Sequence, residues 1–175
     1  MSFGEPESEK ALDESSWHEV DTVVNSRRRR LVVQSRQLLS DVLRDQAGTT
    51  GVRVGCEHGV CGSCTVLVDG VAVRSCLMFA YQAEGREIRT VESLAEGDEL
   101  NFVQEAFWEE HGLQCGYCTA GIMLSTMELL NRNPDPSEAE VLDMLGGHIC
   151  RCTGYQQVLK AIEAAIAIRK ERAAP

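Results

Sequence analysis

The positions of the eight cysteines constrain this chain more than any other feature. They fall into two sets of four, which are Cys56, Cys61, Cys64 and Cys76, then Cys115, Cys118, Cys150 and Cys152. So many cysteines are unusual in a reducing compartment unless they bind metal or carry out redox work. Disulfides are disfavoured because we find no secretion signal in the sequence. The chain is therefore predicted to hold two metal centres.

The first set has the C-x4-C-x2-C…C spacing of plant-type ferredoxins. A [2Fe–2S] cluster with four thiolates is an anion, so its loop must direct several backbone N–H groups at sulfur. Gly55, Gly59 and Gly62 permit backbone conformations that other residues resist. Zinc sites of four cysteines usually show two C-x2-4-C pairs instead. The first set is therefore predicted to bind a [2Fe–2S] cluster, with His58 as a loop residue and not a ligand.

The second set consists of a C-x2-C pair and a C-x-C pair, each directly before a predicted helix. Helix N-termini present free N–H groups and the positive end of the helix dipole, so two of them could stabilise one anionic cluster. The C-x-C segment must be a turn, and Gly146-Gly147 and Gly154 bracket it. Spacing alone leaves a zinc ion bound by four thiolates as an alternative here.

The first half of the chain predicts a small α+β unit. The predicted strands cover residues 20–25, 31–33, 65–68, 71–75 and 87–91. Asp69-Gly70 is a strong hairpin signal. Asn25-Ser26 and Arg27 to Arg30 together are expected to form another hairpin turn, with the arginines as a charged, solvated part of it and a docking patch as the alternative. Apolar residues at helical spacing predict one helix from Leu38 to about Gly48.

The second half predicts helices over residues 102–112, 122–130, 137–145 and 158–172, with Ser137 as an N-cap. Four helices with short connections suggest a compact bundle. We therefore expect an acidic flexible tail over residues 1–18, a first domain over 19–94 and a helical domain over 95–175, each domain with a core of its own.

The formal net charge of -10 argues against nucleic acid or anionic lipid as a partner. No apolar run approaches the roughly 20 residues of a membrane span. The arginines superficially resemble a twin-arginine export signal, but polar residues from Gln34 onward interrupt the apolar stretch that such a signal needs. The chain is expected in the cytoplasm.

The paired motifs resemble the small iron–sulfur subunit of the molybdenum hydroxylases, the xanthine oxidase family. That family includes the small subunits of aerobic carbon monoxide dehydrogenase and of bacterial dehydrogenases for N-heterocycles and aldehydes. The matching segments are Gly55 to Thr65, Gln114-Cys115-Gly116-Tyr117-Cys118-Thr119 and Cys150-Arg151-Cys152-Thr153-Gly154-Tyr155. The resemblance runs from about residue 20 to 168, with Ala120 where proline is common and His148 where asparagine is usual.

This resemblance implies a β-grasp ferredoxin domain followed by a four-helix [2Fe–2S] domain. It also implies a large molybdenum–pterin subunit and a medium FAD subunit as partners, assembled as a dimer of heterotrimers. Gln114 should contact the pterin, and electrons should pass singly from molybdenum through both clusters to FAD. We find no acid–base constellation in the sequence, so catalysis and substrate choice are expected to lie in a partner. A free-standing ferredoxin and a zinc-stabilised interaction module are the alternatives.

Overall fold

A five-stranded mixed sheet organises the first half of the chain in a computed structural model that describes residues 16–173. Its strands are β1 (Trp17–Val24), β2 (Arg27–Gln34), β3 (Thr65–Val68), β4 (Val71–Arg74) and β5 (Glu87–Arg89). The strand order is β2-β1-β5-β3-β4, with β1 and β5 parallel and the other neighbours antiparallel. Helix α1 (Leu39–Asp45) packs on this sheet through Leu39, Val42 and Leu43. The predicted α+β unit is confirmed.

The first turn was predicted to comprise Asn25-Ser26 and the arginine run, and the arginine part of this prediction is wrong. The turn is Asn25-Ser26, whose residues have φ of 49° and 63°, as a two-residue hairpin of this kind requires. All four arginines belong to β2. The strand therefore begins four residues before Leu31, where the apolar pattern had predicted its start. The predicted tail is also too long, since β1 begins at Trp17; residues 1–15 lie outside the described part.

Strand β3 is buried on both faces. Val66 and Val68 lie in a first core, which the sheet forms with α1. Leu67 lies in a second core, which the helices of the second half form. Neighbouring residues of a strand point to opposite faces, so helices cover both sides of the sheet at this position. The expectation of two separate cores is therefore wrong at Leu67.

Up to residue 173, the second half contains four helices, α2 (Phe102–Glu109), α3 (Thr119–Arg132), α4 (Glu138–Gly146) and α5 (Gln156–Ala173). Helix α2 packs against α5, and α3 packs against α4 and against β3. Ser137 caps α4 by accepting the Glu140 amide, as predicted, and Asn101 caps α2 in the same way. A ferredoxin-type domain followed by a helical part is therefore confirmed. Within the described residues, no helix is long and apolar enough to cross a membrane.

The last strand was predicted to reach Val91 but ends at Arg89. The Thr90 amide donates to the side chain of Asn25 at 2.8 Å, and Val91–Ser93 then forms a 3₁₀ turn. A side-chain acceptor thus replaces the strand partner at the point where the chain leaves the sheet.

Candidate iron–sulfur centres

The β3–β4 hairpin brings Cys76 back to the loop that carries the rest of the first set. Asp69 and Gly70 form its turn, and Thr65 pairs with Arg74 at its open end. The Ser75 hydroxyl then donates to the carbonyl of Cys64 at 2.7 Å, which places Cys76 beside Cys64. Both of these cysteines are buried, so they lie on the side of the first set that faces the protein interior.

Backbone amides of the first loop point at sulfur. The amide of Cys61 donates to Cys56 Sγ at 3.4 Å. The amides of Cys61, His58 and Val60 hold the pKa of the Cys56 thiol at about 6, well below its ordinary value. The His58 ring contacts the carbonyl of Cys56, so it is engaged with backbone. The loop is thus built to stabilise negative charge on sulfur.

Two glycines of this loop sit in the left-handed region, and one does not. Gly59 and Gly62 have φ of 80° and 75°, which residues with a Cβ rarely adopt. Gly55 lies outside that region, so the prediction of a special backbone conformation is wrong there. A Cβ at Gly55 would lie 3.2 Å from Cys61 Sγ, which indicates that this glycine leaves room for sulfur.

The second set brings together two loops that each lead into a helix. Cys118 is the N-cap residue of α3, and Cys150 and Cys152 precede α5, as predicted. Across the loops, Cys118 interacts with Cys150, and Cys115 interacts with Cys152. Burial, followed by the contact with Cys150, raises the pKa of the Cys118 thiol to about 12. Cys118 lies inside the protein, whereas Cys115 and Cys152 are exposed.

Tyr155 braces the second loop from within. Its hydroxyl accepts the amide of Cys150 at 2.9 Å and donates to the carbonyl of His148 at 3.0 Å. Thr153 adds a hydroxyl 3.0 Å from Cys150 Sγ. The turn that carries Cys150 and Cys152 lies outside regular secondary structure. The side chains of Tyr155 and Thr153 supply the hydrogen bonds that hold it.

The loops of the two sets are in direct contact. The amide of Ile149 donates to the carbonyl of Cys61 at 3.0 Å. Arg74 spans the same boundary, donating to Thr65 Oγ1 and to the carbonyl of Gly147, both at 2.6 Å. The bonds from Ile149 and to Gly147 fix the second loop against the first half, and the bond to Thr65 orients Arg74 for this contact.

His148 fills the space between these loops. It is buried, and its Nε2 lies 2.8 Å from Ser125 Oγ, whereas its Nδ1 is buried without a hydrogen-bond partner. A Cβ at Gly62 would overlap Nδ1, and one at Gly121 would overlap the carbonyl of Gly62. Burial, and then the charge of Arg74, lower the pKa of His148 to about 4, so the ring is neutral near pH 7. The close contact requires small residues at both glycine positions.

Each set offers four thiols as ligands, and the two kinds of metal centre use four thiols differently. Tetrahedral zinc requires all four thiolates around a single ion, whereas a [2Fe–2S] cluster divides them between two irons. The free thiols interact within each set, with amides directed at Cys56. Two sets of four free thiols, with amides directed at Cys56, fit the all-thiolate ligation of [2Fe–2S] clusters.

Exposed side chains border both sets. Gln114 is exposed next to the exposed Cys115, and Leu113, Tyr117 and Ile149 present apolar surface around them. On the first loop, Val60 is 54% exposed, and Leu77 beside Gly59 is 63% exposed. The described part of the chain therefore leaves apolar surface uncovered next to each cysteine set.

Sequence reasoning did not assign roles to Arg74, Gly121 or Tyr155. Tyr155 is the last residue of the motif that begins at Cys150, so its spacing from that cysteine could have indicated a local role. The only signal for His148 was its departure from the usual asparagine. Arg74 gave no signal, because its partner Gly147 lies 73 residues away in sequence.

Two protein-family models match the chain. One, described as a 2Fe-2S iron-sulfur cluster binding domain, matches residues 22–95, and the other, a [2Fe-2S] binding domain, matches residues 90–163. The nicotine 6-hydroxylase small subunit of Paenarthrobacter nicotinovorans is 54% identical over 144 residues, covering 82% of this chain and 87% of the relative. The caffeine dehydrogenase subunit gamma of Pseudomonas sp. strain CBB1 is 47% identical over 152 residues, covering 85% and 91%. This chain belongs to the small iron–sulfur subunits of the molybdenum hydroxylases.

The fold of this small iron–sulfur subunit agrees with a solved relative. Quinoline 2-oxidoreductase from Pseudomonas putida 86 contains a chain with a TM-score of 0.85 and 43% identity, covering 91% of this chain and 99% of that one. The family resemblance drawn from the cysteine motifs is confirmed. The chain is the non-catalytic iron–sulfur subunit of an oxidoreductase complex, and its role is electron transfer.

Proposed function

We propose that this subunit passes electrons one at a time from a molybdenum–pterin centre, through two [2Fe–2S] clusters, to FAD. Cys56, Cys61, Cys64 and Cys76 would hold the first cluster, and Cys115, Cys118, Cys150 and Cys152 the second. When bound, each cluster would accept and donate one electron at a time. The observation that carries the proposal is the direct hydrogen bond between the loops of the two sets, from Ile149 to Cys61.

The burial of the cysteines supports the order of the two clusters. Cys115 and Cys152 are exposed beside Gln114, so that side of the second set is open to a partner. Cys118 is buried, and Cys150 is adjacent to Ile149 at the contact with the first loop. We propose that Gln114 contacts the pterin and that electrons enter at the second cluster and leave from the first.

The apolar surface beside each set supports two different partners. The large molybdenum subunit would cover Leu113, Tyr117 and Ile149, and the medium FAD subunit would cover Val60 and Leu77. We propose a dimer of such heterotrimers in the cytoplasm. Within this chain, residues 19–94 would form the β-grasp domain and residues 95–175 a domain whose four helices form a bundle.

The order is tested with Gln114→Ala in the assembled complex. Losing a contact to the pterin should slow reduction of both clusters by substrate, while exchange between the first cluster and FAD remains largely intact. Rapid-freeze EPR spectroscopy follows the two signals separately. Gln46→Ala is the matched control, because Gln46 is also exposed but follows α1 in the first half, where its side chain donates to the carbonyl of Val32.

Two results would contradict the order. One is an unchanged rate of reduction in Gln114→Ala. The other is normal reduction of the first cluster by substrate in a complex that lacks the second cluster.

A further inference from the structure

A groove of about 510 Å³ lies where the β1–β2 turn meets the residues after α1 and the segment after β5. We call it the arginine groove, because Arg27, Arg29 and Arg89 line it. Gly48 and Thr49 form another part of its wall. The groove is separate from the cysteine sets, since no cysteine lines it.

The alternation of β2 divides the four consecutive arginines between two faces of the sheet. Arg28 and Arg30 lie on one face and pair with Asp21 and Glu19 of β1. Arg27 and Arg29 lie on the face of the buried Leu31 and Val33 and line the groove beyond them. Arg28 and Arg30 are thus paired with carboxylates of β1, whereas Arg27 and Arg29 face the groove.

The cations of the groove have no carboxylate partner among the described residues. Arg27, Arg29 and Arg89 form no ion pair within residues 16–173. The Nε–H of Arg29 is buried and has no hydrogen-bond partner, which is costly unless an acceptor reaches it. The hydrogen bonds of the Arg89 guanidinium within residues 16–173 go to Ser93, both at 3.4 Å, which is long for a hydrogen bond.

Two carboxylates also line the groove, and one of them already accepts hydrogen bonds from this chain. Glu92 accepts the amide of Gly51 at 2.7 Å and the hydroxyl of Thr90. Glu96 is exposed at the rim of the segment after β5. Three guanidinium groups therefore face two carboxylates, in a chain whose overall charge is -10.

We propose that the arginine groove binds the phosphate group of a small molecule. Guanidinium groups match phosphate oxygens in two-pronged, charge-assisted hydrogen bonds. Three arginines from two strands line this one groove. The volume falls in the range of small-molecule sites, roughly 300 to 1,000 Å³. A phosphate oxygen would also accept the unpartnered Nε–H of Arg29.

Equilibrium dialysis of the assembled complex at fixed ionic strength tests this site, with inorganic phosphate and ADP as the two probes. Arg27→Gln with Arg29→Gln should weaken binding at least about tenfold. Arg28→Gln with Arg30→Gln removes the same charge from the same strand on the other face, and should weaken binding less than about threefold. Arg89→Gln, on a different strand, should reproduce the loss if the first double variant assembles poorly.

The two probes distinguish the sources of the phosphate. Equal affinities assign the groove to the phosphate group alone, whereas tighter binding of ADP assigns it to a ligand of nucleotide size. The proposal is overturned if neither probe binds at millimolar concentration. It is also overturned if both double variants weaken binding equally, because the attraction would then be non-specific.

Discussion

The carbonyl of Cys61 accepts a 3.0 Å hydrogen bond from the amide of Ile149, the residue directly before Cys150. One backbone contact therefore joins the two cysteine sets. Both groups belong to loops, so the contact depends on the side chains and glycines packed around it. Gly62, Gly121 and His148 provide that packing.

Gly62→Ala should disrupt this contact. The added methyl group would overlap His148, and the residue would also have to keep a φ of 75°. The matched control is Gly70→Ala, whose φ of 84° is similar but whose Cβ would meet open space. Both variants should lose about 1–2 kcal/mol for the left-handed conformation, and Gly62→Ala about 1–3 kcal/mol more for the overlap. Denaturant unfolding measures the difference.

The same pair of variants also reports on the clusters. Only Gly62→Ala should change the magnetic interaction between the two reduced clusters in EPR spectra, because Gly70 lies in the turn of the β3–β4 hairpin. Equal losses of stability with unchanged spectra would show that Gly62 has no special role at the contact.

Tyr155→Phe should weaken the second cluster selectively. Without the hydroxyl, the amide of Cys150 loses its acceptor and the carbonyl of His148 loses its donor. An unsatisfied group of this kind costs about 1–3 kcal/mol. The second cluster should therefore be lost sooner to an iron chelator, as followed by its EPR signal. Tyr81→Phe is the control, since its hydroxyl bonds to no residue among 16–173.

The elements that follow from local pattern were predictable from the sequence. The cysteine spacings, the Asp69-Gly70 turn and the Ser137 cap each depend on residues close together in the chain. The position of the arginines was missed because four charged residues resemble a turn, although a two-residue Asn25-Ser26 turn leaves them in a strand. Pairing with β1 then decided their environment, and strand pairing is not visible in the composition of one segment.

The contact between the two halves was not predictable from local pattern. Leu67 lies in an apolar run that fits a strand buried on either one face or two, and only the packing of α3 selects two. Arg74 resembles any polar strand residue until Gly147 is placed beside it. Long-range packing supplied the information that the residue pattern lacked.

The full complex should contain about four irons and four labile sulfides per copy of this chain, from two sets of four cysteines. Cys152→Ser should reduce the iron to about two, because Cys152 is an exposed member of the second set and its loss leaves the core intact. Elemental analysis and EPR measure both numbers. Zinc in stoichiometric amount would revive the alternative for the second set, and loss of both signals in folded protein would contradict the independence of the sites.

Val60→Ala should weaken assembly with the FAD subunit that we propose as a partner. Val60 is 54% exposed between Cys56 and Cys61, so a subunit that takes electrons from the first cluster must approach it. Val71 offers a matched control, because it is 57% exposed but lies at the start of β4. Removing the buried apolar groups of a valine costs about 1–1.5 kcal/mol, or roughly tenfold in the dissociation constant. Val71→Ala should change it less than about twofold, because that side chain stays in water. Binding is measured between the purified iron–sulfur chain and the FAD subunit; equal effects of the two variants would place the interface elsewhere.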